Sequence, residues 1–232
     1  MTAIVTHQPT RRSLLAGVAG AGALMLLPGC TSMGGTFSLE EAVRRMLMLA
    51  SENAFARLTA PGGYWDEQVA RIGLGTLMGT RGDVLSRILT SALVKDRLEE
   101  RFAGLAIDAS YRAAPVVTDA VRVIGFRNAI ELVRGGPTAA SSYLRQEVGS
   151  ALIDAVVPEL GDAIRVSRDP VLGQALNALT GVDVAGVADR VGREVDNAIW
   201  GEIGREEAAI RADPGATRDP AIIAVFGASR VL

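Results

Sequence analysis

Two long stretches of this sequence carry apolar residues at helical spacing, and that periodicity constrains the fold more than any other feature. In residues 38–58 the apolar face comprises Leu39, Ala42, Val43, Met46, Leu47, Ala50 and Phe55. In residues 184–212 it comprises Val184, Val187, Val191, Val195, Ala198, Ile199, Ile203 and Ile210. Spacings of three and four place such residues on one side of an α-helix. Because isolated helices of this length are marginal in water, both faces must be buried against other helices.

Capping residues and helix breakers indicate where the helices begin and end. Ser38 precedes Glu41 by three residues, which is a helix-start pattern; Asp183 is placed to cap the last long helix, and Asp213-Pro214 predicts its end. Further helices are predicted over 84–105, 116–123, 126–134, 138–164 and 166–182, with a start or kink at Pro115 and a bend or break near Pro158, whereas 69–72 could be extended. No alternating strand pattern persists. We therefore expect an all-α, single-domain bundle of roughly six to nine helices over residues 38–227, followed by a tail at 228–232.

The N-terminal 30 residues have the layout of an export signal. Arg11 and Arg12 precede a glycine- and alanine-rich apolar run at 14–27. A run of about 14 residues is too short to span roughly 30 Å of hydrocarbon comfortably. Positive charge, a short apolar run and small residues before Cys30 are together typical of a signal peptide. We predict that residues 1–29 are removed.

The end of this segment, Leu27-Pro28-Gly29-Cys30, resembles the lipobox of bacterial lipoproteins. The resemblance implies that Cys30 is acylated (palmitate is one such chain) and anchors the mature chain in a membrane, with residues 30–37 as a lipidated tether. Arg11-Arg12 also resembles a twin-arginine export signal. By the same resemblance, Thr31 after the cysteine favours the outer membrane over the inner one. The alternatives are general secretory export and a secretory signal in which Cys30 is incidental.

The amino-acid composition limits the kinds of catalytic site and metal site that the mature domain can contain. The chain has one histidine, His7, and one cysteine, Cys30; the first would leave with the signal peptide and the second would carry lipid. This excludes Ser-His-Asp and Cys-His catalysis and the common zinc sites. Acidic residues slightly outnumber basic ones, 26 to 24, which argues against a nucleic-acid partner. We expect no metal and no cofactor.

Five polar residues of two predicted helices form the candidate site: Tyr143, Arg145, Glu206, Glu207 and Arg211. In one interpretation they line a ligand pocket. In the other, which we favour, Arg145 pairs with Glu206 or Glu207 between two helices and sets their register. Glu207 and Arg211 are also spaced to form an i,i+4 pair on a solvated face.

Two further polar features admit a chemical interpretation and a structural one. Glu202 and Glu206 lie one helical turn apart, so they could carry acid/base chemistry or bind a hard cation. The helix start at Gly136–Ser142 could bind an anion with help from Arg134 or Arg145. The structural interpretations, which we favour, are a salt-bridged helix face and a helix-to-helix turn.

Several short strings match one family. They are Asp119-Ala120-Val121, Arg134-Gly135-Gly136, Ala139-Ala140-Ser141, Tyr143-Leu144-Arg145, Gln174-Ala175, Phe226-Gly227 and, most distinctive, the run Glu206–Pro214 with the sequence EEAAIRADP. Over residues 38–227 the chain resembles the proteobacterial lipoproteins grouped as domain-of-unknown-function family 4197. The resemblance implies a helical, exported lipoprotein and brings no established activity.

From these features we expect a lipoprotein of the cell envelope, anchored on the periplasmic side of a membrane through Cys30. A non-enzymatic role is favoured: binding an envelope protein or a hydrophobic ligand, or a structural role near the membrane. The first alternative is a carrier with a helical pocket for lipid or another hydrophobic molecule. The second is an acid/base enzyme that uses Glu206 or Glu207.

Overall fold

The computed structural model describes residues 37–79, 92–166 and 184–228, which form helices and contain no strand. In chain order the helices are α1 (Leu39–Leu58), α2 (Tyr64–Ile72), α3 (Leu74–Met78), α4 (Ala92–Val123), α5 (Ala129–Arg134), α6 (Ala139–Val148), α7 (Ala151–Val166), α8 (Val184–Ala212) and α9 (Pro220–Ile222). A 3₁₀ turn at Pro214–Thr217 precedes α9, and a π turn at Ile223–Gly227 follows it. The predicted all-α class is confirmed.

Helices α1 and α8 run antiparallel and bury the two apolar faces predicted from the sequence. Arg57 Nε lies 3.2 Å from Glu202 Oε2, and Asn53 Nδ2 donates to Glu206 Oε2 at 3.3 Å. Residue numbers therefore fall along α8 as they rise along α1. Every member of the two faces is buried except the first residue of each. These two helices supply much of the core, as expected.

The boundaries of both long helices follow their sequence signals. Ser38 Oγ accepts a hydrogen bond from the Glu41 backbone N–H at 3.1 Å, so α1 begins with the predicted cap. Helix α8 ends at Ala212, and Pro214 opens the 3₁₀ turn that follows. Proline fits there because the first residues of a helical turn need no N–H donor.

The remaining helices close the core around this pair. Helix α8 packs mainly on α7 and α1, and α4 packs on α1, α2 and α7. Trp65 Nε1 donates to Ser110 Oγ at 3.1 Å in the interior, which joins α2 to α4. A Cβ on Gly192 would lie 2.5 Å from Val157 Cγ2, so the glycine is what lets α7 approach α8 so closely.

Helix α4 continues through Pro115, where the sequence predicts a helix start or a kink. Proline removes one helical hydrogen bond and disfavours a helix interior. Here Ala113, Val117 and Val121 are buried on one side of α4, before and after the proline. The packing of these residues keeps α4 continuous, although the proline by itself would favour a break in the helix.

One other predicted boundary is wrong, and one stretch that could have been extended is helical. The break within 138–164 falls at Gly149, whose φ of 57° ends α6, whereas Pro158 lies inside α7. Glycine adopts this left-handed conformation without steric cost. Residues 69–72 are helical and not extended, because Trp65 and Val69, one turn apart on α2, are both buried.

Other predictions lie outside the described residues. They concern the signal peptide, the tether up to residue 36, the helical pattern over 84–91, the helix over 167–182 and the cap at Asp183. Among the helices that the structure does describe, none combines the length and the hydropathy that crossing a bilayer requires.

Candidate functional site

Glu207 of α8 is completely buried and caps another helix. Its Oε1 accepts from the Ala140 backbone N–H at 3.0 Å and its Oε2 from that of Ser141 at 2.7 Å. These two donors belong to the first turn of α6 and have no partner within that helix. The carboxylate also places negative charge at the positive end of the α6 dipole. Glu207 therefore fixes the start of α6 against α8.

Arg211 completes the arrangement from one turn further along α8. Its Nε donates to Glu207 Oε1 at 2.8 Å, and its two terminal nitrogens donate to the carbonyls of Val133 at 3.0 Å and Leu132 at 2.8 Å. These carbonyls lie at the end of α5. The guanidinium also lies over the Phe226 ring, 4.9 Å from its centroid. Together Glu207 and Arg211, called here the helix-end pair, join α5, α6, α8 and the C-terminal turn.

The helix-end pair contradicts two interpretations: a Glu207–Arg211 pair on a solvated face, which we favoured, and an anion site at the start of α6, which we did not. The predicted i,i+4 contact of Glu207 with Arg211 is present, but it lies in the interior and not on a solvated face. The N–H groups at the start of α6, considered as an anion site, already hold the Glu207 carboxylate. The carboxylate accepts from two backbone donors and one guanidinium donor.

Arg145 does not pair with Glu206 or Glu207, so that prediction is wrong. Its terminal nitrogen donates to Asp196 Oδ2 at 2.7 Å and to Asn197 Oδ1 at 2.8 Å. Helices α6 and α8 run antiparallel, because Ala140 and Ser141 meet Glu207 whereas Arg145, further along α6, reaches back to Asp196. Asp196 lies about three turns before Glu207 on α8. The interhelical pair was expected correctly, but its partner was assigned to the wrong turn.

Asp196 is the acidic residue that the sequence analysis missed. It is buried, and its Oδ1 accepts from Trp200 Nε1 at 2.9 Å, one turn along α8. The sequence feature that could have indicated Asp196 is its position next to Val195, inside the predicted apolar face of α8. A carboxylate so close to a buried face needs a cation or a donor beside it.

Glu206 points toward α1, away from the helix-end pair. Arg205 Nη2 lies 2.9 Å from Glu206 Oε1. The Nε of the same arginine donates to Glu202 Oε2 at 3.2 Å. The hydrogen bond from Arg205 to Glu202 raises the pKa of that arginine. Burial, together with the nearby Glu202 charge, raises the pKa of Tyr64. The Glu202 and Glu206 carboxylates are thus held by arginines, as the structural interpretation expected.

Tyr143 lies apart from the other candidate residues. Its hydroxyl donates to the Gly125 carbonyl at 3.1 Å. It lines a groove of about 520 Å³ with Ile124, Arg127, Asn128, Glu131, Leu132 and Glu147. Arg145 borders a different groove, of about 390 Å³, beside Trp200 and Gly201. The five candidate residues therefore occupy four places, and only Glu207 and Arg211 act together.

The run Glu206–Pro214, which carries the resemblance noted from the sequence, is the end of α8 and the turn after it. A family model described as "Protein of unknown function (DUF4197)" matches residues 35–227. The chain belongs to the DUF4197 family. No curated protein and no solved structure gave a match. In this DUF4197 chain the distinctive run supplies the helix-end pair and the α8 stop.

Residues 37–79, 92–166 and 184–228 contain no group of three or more histidine, cysteine, aspartate or glutamate residues placed to hold an ion. Five acidic residues of α8 pair with arginines: Asp189, Asp196, Glu202, Glu206 and Glu207.

Proposed function

We propose that this DUF4197 chain is an exported lipoprotein, anchored through acylated Cys30, whose helical domain acts by binding or as a structural element of the envelope. The observation that carries the proposal is the sequence at 11–30, where two arginines, a short apolar run and Leu-Pro-Gly-Cys follow in order. Two or three acyl chains hold a protein at a membrane far more firmly than one, because each buried CH₂ contributes about 0.8 kcal/mol.

The polar contacts of the domain favour binding over catalysis. A general acid or base must exchange a proton with a substrate that it can reach. Glu207 is enclosed by two helix N–H groups and Arg211, and Asp196 by Trp200 and Arg145. Each of these buried carboxylates has a partner that accounts for its position without a substrate.

Mass spectrometry of the mature N-terminus tests the anchor. The protein is purified from host membranes beside a Cys30→Ser variant and a matched control, Thr31→Ser, which changes only the neighbouring residue. We expect residue 30 to be the first residue and to carry diacylglycerol in the parent and the control, and Cys30→Ser to lose the modification and the membrane fraction. A free Cys30 thiol, or full-length chain in the cytosol, would contradict the proposal.

The export route has its own test. We propose twin-arginine export because Arg11-Arg12 precedes a run of low hydrophobicity. Replacing both arginines by lysine keeps the charge and should block that route, so precursor should accumulate. Normal processing of the double variant would assign the chain to general secretion and leave the anchor proposal standing.

The groove beside Tyr143 is the observation that favours a second candidate, a carrier of a hydrophobic ligand. Its volume of about 520 Å³ is in the range of small-molecule pockets, and Ile124, Leu132 and Tyr143 supply the apolar part of a lining that also contains charged side chains. Native mass spectrometry of protein from its own host would detect a retained ligand. A lipid mass lost on Leu132→Arg, and kept in the groove-distant Leu93→Arg, would support the carrier over the binding protein.

A further inference from the structure

The place where the tether joins the domain lies next to the start of the C-terminal segment. The guanidinium of Arg45 lies over Phe37, 5.2 Å from the ring centroid, and its Nη1 is 3.2 Å from Asp219 Oδ2. Phe37 is the first described residue, and Asp219 caps α9 by accepting from the N–H groups of Ala221 and Ile222. One side chain therefore touches both chain segments.

The C-terminal segment at this end has no charged side chain. Residues 220–228 read Pro-Ala-Ile-Ile-Ala-Val-Phe-Gly-Ala. Ala221, Ile222 and Phe226 are buried against the domain, and the exposed positions are Pro220, Ile223, Ala224 and Ala228. In a chain with 22% charged residues, the outward face of this segment is uncharged.

Other exposed apolar residues lie on the helices that meet here. Leu39 begins α1, Val123 ends α4 and is 82% exposed, and Ile130 lies on α5. Arg44 of α1 lies over Phe126, just beyond the end of α4, and Arg211 connects the end of α5 to Phe226. We call Leu39, Val123, Ile130 and the exposed residues of 220–228 the tether-end surface.

The length of the tether limits how far this surface can lie from a membrane. Phe37 is the seventh residue after Cys30, and a fully extended chain of seven steps spans at most about 25 Å. Acyl chains on Cys30 would hold the bilayer within that distance of Phe37, which lies beside the start of the C-terminal segment. A short linker makes such a contact intramolecular, so weakly apolar patches can bind without high affinity of their own.

We propose that the tether-end surface rests on the lipid interface of the membrane that holds the acyl chains. The inference depends on the proposed acylation of Cys30. The chemistry is interfacial partitioning of aliphatic side chains, with the polar helix faces left in water. The opposite end of α4, which carries exposed Leu93, then points away from the bilayer, about 45 Å along the helix from Val123.

The test uses full-length, acylated protein in vesicles of phosphatidylethanolamine and phosphatidylglycerol. Cys30 is the only native cysteine, and its thiol is blocked by lipid. A polarity-sensitive fluorophore therefore labels only the introduced cysteine. Ile223→Cys and Val123→Cys report on the surface, and Leu93→Cys, also an exposed aliphatic position, is the matched control. Circular dichroism confirms that each variant is folded.

We expect the labels at positions 223 and 123 to brighten at least about twofold on reconstitution and to be quenched by spin-labelled lipid, and the label at 93 to do neither. If the labels at positions 223 and 123 report an environment as polar as the label at position 93 does, the docking proposal is wrong. Brightening without quenching by lipid would also overturn it, because a protein would then cover the surface. The mass of residue 30 is measured on the same sample: an unmodified Cys30 overturns both proposals, whereas acylated Cys30 with polar labels overturns the docking alone.

Discussion

Two ion pairs lie where α6 packs on α8, one within α8 (Glu207 with Arg211) and one between the helices (Arg145 with Asp196), and they bind different groups. In the helix-end pair, the side chains of Glu207 and Arg211 are 0% and 11% exposed. Between them they bind two backbone N–H groups and two backbone carbonyls. In the other pair, the side chains of Arg145 and Asp196 are 45% and 8% exposed, and the Arg145 guanidinium donates to the side chains of Asp196 and Asn197. The first pair secures the ends of helices; the second fixes where two helix surfaces meet.

The difference shows how strongly a buried helix end constrains sequence. The first N–H groups and the last carbonyls of every helix need partners, and water is absent at a buried end. A carboxylate and a guanidinium at positions i and i+4 can bind four of these backbone groups, and each also neutralises the charge of the other. We infer that the Glu-x-x-x-Arg spacing within EEAAIRADP exists for this purpose.

Removal of the Glu207 carboxylate should have the largest effect. Glu207→Ala leaves two α6 N–H groups without their acceptor and Arg211 without its counter-charge in the interior, so the free energy of unfolding should fall by about 3–5 kcal/mol. The matched control is Glu206→Ala, the adjacent and more exposed glutamate, which should cost about 0–1 kcal/mol. Urea unfolding followed by circular dichroism measures both. Equal losses would remove the distinction between the two neighbours.

A smaller loss is expected at the second pair. Arg145→Ala should lower the free energy of unfolding by about 1–2 kcal/mol, because Asp196 keeps the donor Trp200 Nε1 and Arg145 is half exposed. Arg193→Ala, which removes an exposed arginine paired with Asp189 on the same helix, serves as the control and should cost less than about 1 kcal/mol. A loss at Arg145 as large as that at Glu207 would contradict the account.

The smallest effect concerns a surface pair and is seen best through pH. The hydrogen bond from Arg45 lowers the pKa of Glu41, against the opposing effect of burial. A lowered folded-state pKa stabilises the fold above the unfolded-state value and loses that contribution as the pH falls through the folded-state value. Glu41→Gln should therefore differ from the parent at neutral pH and converge with it in acid. Glu40→Gln is the control, and the prediction fails if the difference grows in acid.

The sequence predicted the helices whose boundaries depend on local chemistry. Ser38 and Glu41 mark the start of α1, and Asp213-Pro214 marks the end of α8, because caps and prolines act within a few residues. The continuity of α4 through Pro115 was not predictable in this way. It depends on Val117 and Val121 packing against other helices, which no local pattern contains.

The sequence predicted the Glu207–Arg211 contact within α8, but it predicted neither Asp196 nor the partners that lie on other helices. Glu207 and Arg211 were selected from the distinctive run and from their i,i+4 spacing. That Glu207 faces the start of α6, while the adjacent Glu206 faces α1, depends on the rotation of α8 within the bundle. The same rotation places Asp196 opposite Arg145, three turns along α8 from the partner that we expected. A sequence specifies which residues share a helix face, but the neighbouring helix decides what that face meets.

The most direct test of the central claim, that the distinctive run secures helix ends, is a pair of double-mutant cycles on the mature chain. One cycle combines Glu207→Ala with Arg211→Ala, and the other combines Arg145→Ala with Asp196→Ala, each measured by urea unfolding. We predict a coupling free energy of about 2–3 kcal/mol for the first cycle and below about 1 kcal/mol for the second. Equal couplings, or a larger one for Arg145 with Asp196, would contradict the account.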